Sequence, residues 1–89
     1  MLGELVKGPD DILLFTVDWS EWLGSDTINS ATWSAEAGIT VVSSSHTSTL
    51  ATAKLSGGND RTSYDISNTI VTAGGETKEE RFVLKVREP

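Results

Sequence analysis

Residues 63–72 read SYDISNTIVT, and this stretch decides the fold class. In an extended chain Tyr64, Ile66 and Ile70 fall on one face, with Asn68 interrupting them, and mostly serine, threonine and aspartate fall on the other. A period of two is typical of a half-buried β-strand, whereas an amphipathic helix repeats about every 3.6 residues. We therefore predict a strand here, with its apolar face toward a core.

The same alternation returns in residues 81–87, where Phe82, Leu84 and Val86 share one face. The opposite face is mostly charged, which predicts a strand with one buried and one solvated side. Upstream, the run 49–55 has small side chains at its inward positions, which predicts a close approach between two sheets. These inward residues are Ala51, Ala53 and Leu55.

Two glycine pairs separate these runs, Gly57-Gly58 and Gly74-Gly75. Glycine adopts the positive φ angles that tight hairpin turns require. Residues 48–87 are therefore predicted to form a three-strand antiparallel meander with two hairpins.

The N-terminal half begins with a predicted strand over residues 11–18. Its residues Ile12 and Leu14 lie on the face opposite to Leu13 and Phe15, so we expect this strand to be covered on both sides near its start. Next, residues 19–24 predict a short helical turn or a bulge that ends at a glycine.

The remaining segments are shorter and less regular. Residues 28–36 break strict alternation once, which predicts a strand with a β-bulge. Residues 39–42 predict a short strand, and the serine-rich residues 43–48 predict a polar loop.

Six or seven strands in a chain of 89 residues, with turn signals about every 10 residues, predict an all-β fold. We expect an immunoglobulin-like antiparallel β-sandwich, with a small open barrel as the alternative. Residues 1–9 are predicted to be a flexible N-terminal segment, and residues 10–89 a single immunoglobulin-like domain.

The charge is acidic, with 13 Asp and Glu against 7 Lys and Arg, and the net charge of −6 resides in residues 1–45, whose one basic residue is Lys7. An acidic chain argues against nucleic-acid binding. The excess of acidic residues in this half is explained if these carboxylates lie on solvated faces. The alternative is an acidic edge that docks on a basic partner.

The longest apolar run, residues 12–15, is too short to span a membrane, and the N-terminus does not resemble a signal peptide. The sequence also contains no cysteine, which fits a reducing compartment. We therefore expect a protein that stays in the cytoplasm or leaves it as part of a larger particle.

Motifs that carry chemistry are missing from the sequence. The single histidine, His46, lies among serines and is predicted to belong to a surface loop. The carboxylate pairs at 10–11 and 79–80 are neighbours that point to opposite faces of a strand. Asp10, Asp11 and Asp60 are candidate calcium ligands, but the EF-hand spacing is absent. We predict no catalytic, cofactor-binding or metal-binding residue, no cofactor and no enzymatic activity.

Three tryptophans lie in the acidic half, and tryptophan contributes either to a core or to an interface. We predict that Trp33 is buried, and that one of Trp19 and Trp22 is buried while the other contacts a partner. The candidate contact residues are Asp18, Trp19, Glu21 and Trp22. An aromatic platform for sugars is the alternative use.

The sequence also resembles a family of small bacteriophage and prophage structural proteins, some described as tail-fibre adaptors. The most distinctive stretch is residues 18–28, DWSEWLGSDTI, and the resemblance covers roughly residues 10–88. The other segments that carry it are Thr32-Trp33, Gly38–Val41, Leu55–Gly58, Thr62–Tyr64, Asn68–Thr72, Gly74-Gly75, Glu80-Arg81 and Leu84–Arg87.

This resemblance implies an immunoglobulin-like structural or adaptor protein of the virion, made in the host cytoplasm, that joins fibre to tail or head to tail. It implies partners among the tail, fibre or connector proteins. We also expect homo-oligomers in the particle, and the acidic charge and short apolar runs predict neither nucleic acid nor membrane as a partner. The alternative function is a carbohydrate- or cell-surface-binding immunoglobulin-like module.

Overall fold

A computed structural model describes residues 4–88, which form seven strands and one short helix. The elements are β1 (Glu4–Lys7), β2 (Leu13–Asp18), α1 (Ser20–Leu23), β3 (Ile28–Ala35), β4 (Ile39–His46), β5 (Leu50–Gly57), β6 (Thr62–Thr72) and β7 (Thr77–Val86).

The strands form two sheets, one with the order β1-β7-β6-β3 and one with the order β2-β5-β4. All pairings are antiparallel except that of β1 with β7, which is parallel. The third, sixth and seventh strands share one sheet and the second, fourth and fifth share the other, as in immunoglobulin-like sandwiches. The predicted fold class is confirmed, with seven strands.

The core lies between the sheets and follows the predicted alternation. On β5 the inward residues Ala51, Ala53 and Leu55 have no exposed surface, and the small alanines bring the two sheets together. Inward positions of β6 and β7 supply most of the other fully buried side chains, which are Ile66, Ile70, Leu84 and Val86. The predicted bulge occurs between Ile28 and Ser30 of β3.

Two aromatic residues reproduce features of immunoglobulin domains. Trp33 is buried on β3, as predicted, and packs against Phe82 with 5.8 Å between ring centroids. Tyr64, near the start of β6, accepts a hydrogen bond at its hydroxyl from the backbone N–H of Asn59 at 2.8 Å, which is a tyrosine corner. Ile66 occupies the place of the second cysteine of antibody domains, so apolar packing replaces the disulfide there.

Tyr64→Phe should lower the free energy of unfolding by about 1–2 kcal/mol, because the Asn59 N–H loses its acceptor while the ring stays in place. Urea denaturation followed by tryptophan fluorescence measures the change. Ser63→Ala, at an exposed neighbouring position, is the control and should be nearly neutral. Equal stability of Tyr64→Phe and the parent protein would show that the corner contributes nothing.

The predicted three-strand meander is wrong, because β5 and β6 lie in different sheets. Gly74-Gly75 does connect a hairpin, between β6 and β7, but Gly57-Gly58 begins a crossover between the sheets. Both Gly57 and Gly58 have positive φ angles, and a Cβ on Gly58 would lie 2.6 Å from Cγ2 of Val86. Close packing, and not a hairpin turn, therefore explains the glycines at Gly57-Gly58.

Two smaller predictions also fail. Ile12 and Leu14 are 59% and 64% exposed, because no described element covers the outer face of β2. The predicted polar loop at 43–48 is a strand as far as His46, since β4 pairs with β5 along this stretch.

The start of the chain also differs from the predicted flexible segment 1–9. The structure instead places Glu4–Lys7 in β1, alongside Val83–Val86 of β7, while residues 1–3 lie outside the described part. Lys7 is buried, and its Nζ donates to the carbonyls of Gly8 at 2.6 Å and Asp11 at 3.0 Å. These bonds explain how a strand with a buried lysine can be ordered here.

Candidate docking surface

The predicted contact residues lie on and beside helix α1, at one end of the sandwich. The helix has one turn, and its C-cap Gly24 donates its N–H to the carbonyl of Ser20 at 3.2 Å, while its φ of 62° turns the chain out of the helix. At the start, the Asp18 carboxylate accepts the backbone N–H of Ser20 at 2.9 Å. This backbone bond, with a second from the Ser20 side chain, lowers the pKa of Asp18, so the residue stays ionised at neutral pH.

Trp19 anchors this turn in the core. Its Nε1 donates to Oδ1 of Asn68 at 2.9 Å, and Asn68 in turn donates through Nδ2 to the Thr32 carbonyl at 3.1 Å. Asn68 has no exposed surface, and its side chain joins β6, β3 and the segment that begins α1 within the core. The polar residue that interrupts the apolar face of β6 therefore positions Trp19.

Trp22 projects from the same turn and is 43% exposed. Its ring meets that of Trp19 edge to face, with 5.8 Å between centroids and 70° between planes. The prediction that one tryptophan of this pair is buried is confirmed, and the prediction that the other contacts a partner stays a prediction. Because Trp19 is fixed by Asn68, Trp22 rests on a rigid support, which reduces the side-chain entropy that it can lose on binding.

Trp22 lies in an open groove of about 610 Å³. The groove brings together all four predicted contact residues and adds two charged residues of β7; its lining comprises Val17, Asp18, Trp19, Glu21, Trp22, Lys78 and Glu80. Lys78 and Glu80 were missed, although they occupy the positions that continue the inward alternation of Phe82 and Leu84. Charged side chains at inward positions mark where the two sheets open. We use the name docking surface for this candidate site, which comprises the exposed Asp18, Glu21 and Trp22 and the buried Trp19 that supports Trp22.

A second, more enclosed cleft of about 250 Å³ continues from this groove between β2 and the β1 and β7 side of the other sheet. Leu5, Phe15, Trp33 and Phe82 line this cleft. The groove and the cleft share Val17 and Asp18. Nε1 of Trp33 is buried with no hydrogen-bond partner in the part of the chain that the structure describes. A buried N–H donor of this kind leaves hydrogen-bonding capacity unused.

The other residues considered in the sequence lie apart from this groove. His46 ends β4 at an exposed position. The Asp11 carboxylate accepts the N–H of Gly8 and holds a local turn, whereas the Asp60 carboxylate accepts the N–H of Glu88 and holds the segment that follows β7. Within residues 4–88 no three His, Cys, Asp or Glu side chains cluster as metal ligands would.

The fold and the groove define a small immunoglobulin-like structural domain. Within that class, the family model described as "Podophage GP4 fiber-tail adaptor protein gp77" matches residues 7–85, and the chain belongs to this family. It is therefore a structural component of tail-fibre attachment in a phage virion, in contact with other virion proteins. Among curated proteins, none matches the sequence. None of the helices in residues 4–88 is long and apolar enough to cross a membrane.

Proposed function

We propose that this chain works by protein–protein contact and without catalysis, and that it binds a tail or fibre protein through the docking surface. The observation that carries the proposal is Trp22, an accessible ring held edge to face on the buried Trp19. Tryptophan is enriched among the few residues that dominate binding energy, above all where a rigid pocket surrounds it.

The charges around Trp22 indicate the character of the partner. Asp18 and Glu21 are exposed carboxylates beside the ring, and the groove holds three acidic residues and one lysine, Lys78. A partner surface with Lys or Arg beside an apolar contact would complement it. The same acidic character opposes contact with nucleic acid. The structure gives less support to a sugar platform of two stacked rings, because the Trp19 and Trp22 planes lie 70° apart.

Trp22→Ala should reduce binding to tail particles assembled without this protein by at least about tenfold, equivalent to about 1.4 kcal/mol. Stability should fall by only about 1 kcal/mol, since the variant loses one aromatic pair. Quantitative co-sedimentation with these particles measures binding, and urea denaturation measures stability.

Val42→Ala is the matched control, because Val42 is 51% exposed and lies on β4, away from the groove. It should bind as the parent protein does. If Trp22→Ala is folded and binds the particles with unchanged affinity, the docking surface is not the contact.

A further inference from the structure

The outer edge of β2 is the feature that the docking surface leaves unexplained. Within residues 4–88, β2 pairs with β5 on one side and with no strand on the other. Immunoglobulin constant-type domains have a four-stranded sheet at this place, whereas this chain has three strands. Ile12 and Leu14 lie exposed along this edge.

The other three edge strands carry features that hinder the addition of a further strand. Strand β1 has four residues. Register shifts interrupt β3 between Ile28 and Ser30, and β4 between Val41 and Ser43. In contrast, β2 runs in unbroken register from Leu13 to Asp18. An edge that is regular and apolar is the one best suited to pair.

The backbone of β2 also presents its hydrogen-bonding groups outward. Trp19 donates its N–H to the Thr49 carbonyl at 2.9 Å, in the same register as β2 with β5. Since bonded positions alternate along an antiparallel ladder, the N–H and C=O groups of Leu14 and Thr16 point to the free edge.

Beneath this edge lies the enclosed cleft of about 250 Å³ with Leu5, Phe15, Phe82 and Trp33 in its lining. Alternate side chains of an added strand would point into this cleft and pack on its apolar walls. Trp33, which lines this cleft, also has a buried Nε1 with no hydrogen-bond partner among the described residues.

Charge distinguishes a partner protein from a second copy. The stretch from Ile12 to Val17 is uncharged and lies between Asp11 and Asp18. Antiparallel pairing of two copies through these outward groups, with Leu14 opposite Leu14, would place Asp18 opposite Asp10 of the other copy, which is unfavourable. A segment with Lys or Arg at one end would instead meet Asp18 and Glu21.

We infer that β2 accepts an extended segment of a tail or fibre protein as an additional strand, with alternating apolar side chains and a basic residue near Asp18. The inference rests on the proposed function, because it names the form in which the partner docks. Backbone pairing would supply affinity, and the cleft would select the side chains.

The test uses short overlapping peptides that span the tail and fibre proteins of the same particle, with the full chain as the receptor. A peptide of the stated pattern should bind and slow amide exchange at Leu14 and Thr16. Leu14→Lys should weaken it at least about tenfold, because a charge on the edge opposes pairing. Val42→Lys, on the opposite edge of the same sheet, should leave affinity unchanged.

A second variant, Leu14→Pro, removes the outward N–H while leaving the bonds to β5, and it should lose binding too if its denaturation curve shows a folded protein. A different pattern would overturn strand addition while the docking surface stands. In that pattern, a bound peptide protects amides only in α1, Leu14→Lys binds normally and Trp22→Ala binds weakly. Strand addition would also be overturned if no peptide binds and Leu14→Lys joins the particles normally. Self-association of the parent protein that Leu14→Lys abolishes would overturn it too, because a second copy would then occupy the edge.

Discussion

Gly57→Ala should destabilise the sandwich by about 3 kcal/mol or more, which is the largest effect that we expect from a single methyl group. Gly57 has a φ of 89°, and a Cβ there would lie 2.7 Å from the carbonyl oxygen of Gly38. A backbone atom cannot turn aside as a flexible side chain can, so the two strands would have to separate. The cost therefore combines a strained φ with a steric clash.

Gly75→Ala is the matched control for this clash. Gly75 has nearly the same φ, 92°, but no heavy atom would lie within 4 Å of its Cβ. It should cost only the left-handed conformation, about 1–2 kcal/mol. Guanidinium or urea denaturation of both variants gives the difference. If Gly57→Ala is no less stable than Gly75→Ala, the approach of Gly38 does not constrain this turn.

Asn68→Ala should lower the free energy of unfolding by about 2–4 kcal/mol, because it leaves the Trp19 N–H and the Thr32 carbonyl buried without a partner and opens a cavity. Fluorescence should respond as well, since Trp19 loses its anchor and Trp22 its support. Chemical denaturation and the emission maximum of the folded state measure the two effects.

Ser67→Ala, on the adjacent outward position of β6, is the control and should change stability by no more than about 0.5 kcal/mol. Asn68→Ala with both the stability and the particle binding of the parent protein would show that the bond to Trp19 is not needed. Normal stability together with weaker binding to tail particles would separate the positioning of Trp22 from folding.

Periodicity predicted the parts of the fold that depend on one strand at a time. The inward faces of β6 and β7 and the bulge in β3 follow from local alternation, which a single sequence displays. The pairing partners of each strand do not follow from local alternation. Gly57-Gly58 and Gly74-Gly75 look alike in sequence, yet one begins a crossover and the other a hairpin, because the difference depends on Val86 and Gly38, which are distant in the chain.

That the four candidate contact residues lie together in one groove was predictable for a related reason. Asp18, Trp19, Glu21 and Trp22 lie within one short segment, so composition alone drew attention to them. Which tryptophan is accessible was not predictable, since it depends on Asn68, far along the chain. The exposure of Leu14 was missed because an apolar residue at an edge and one beneath a covering layer have the same local pattern.

The parallel pairing of β1 with β7 has a mechanical consequence. Glu4 lies beside Val83 and Lys7 beside Val86, so the start of the first strand and the end of the last lie at opposite ends of their shared ladder. Tension applied between these two points loads the ladder bonds in shear, all together, whereas a hairpin pulled at its open end unzips one bond at a time. The rate of forced unfolding, which governs survival under load, is thereby kept low in the direction of the chain.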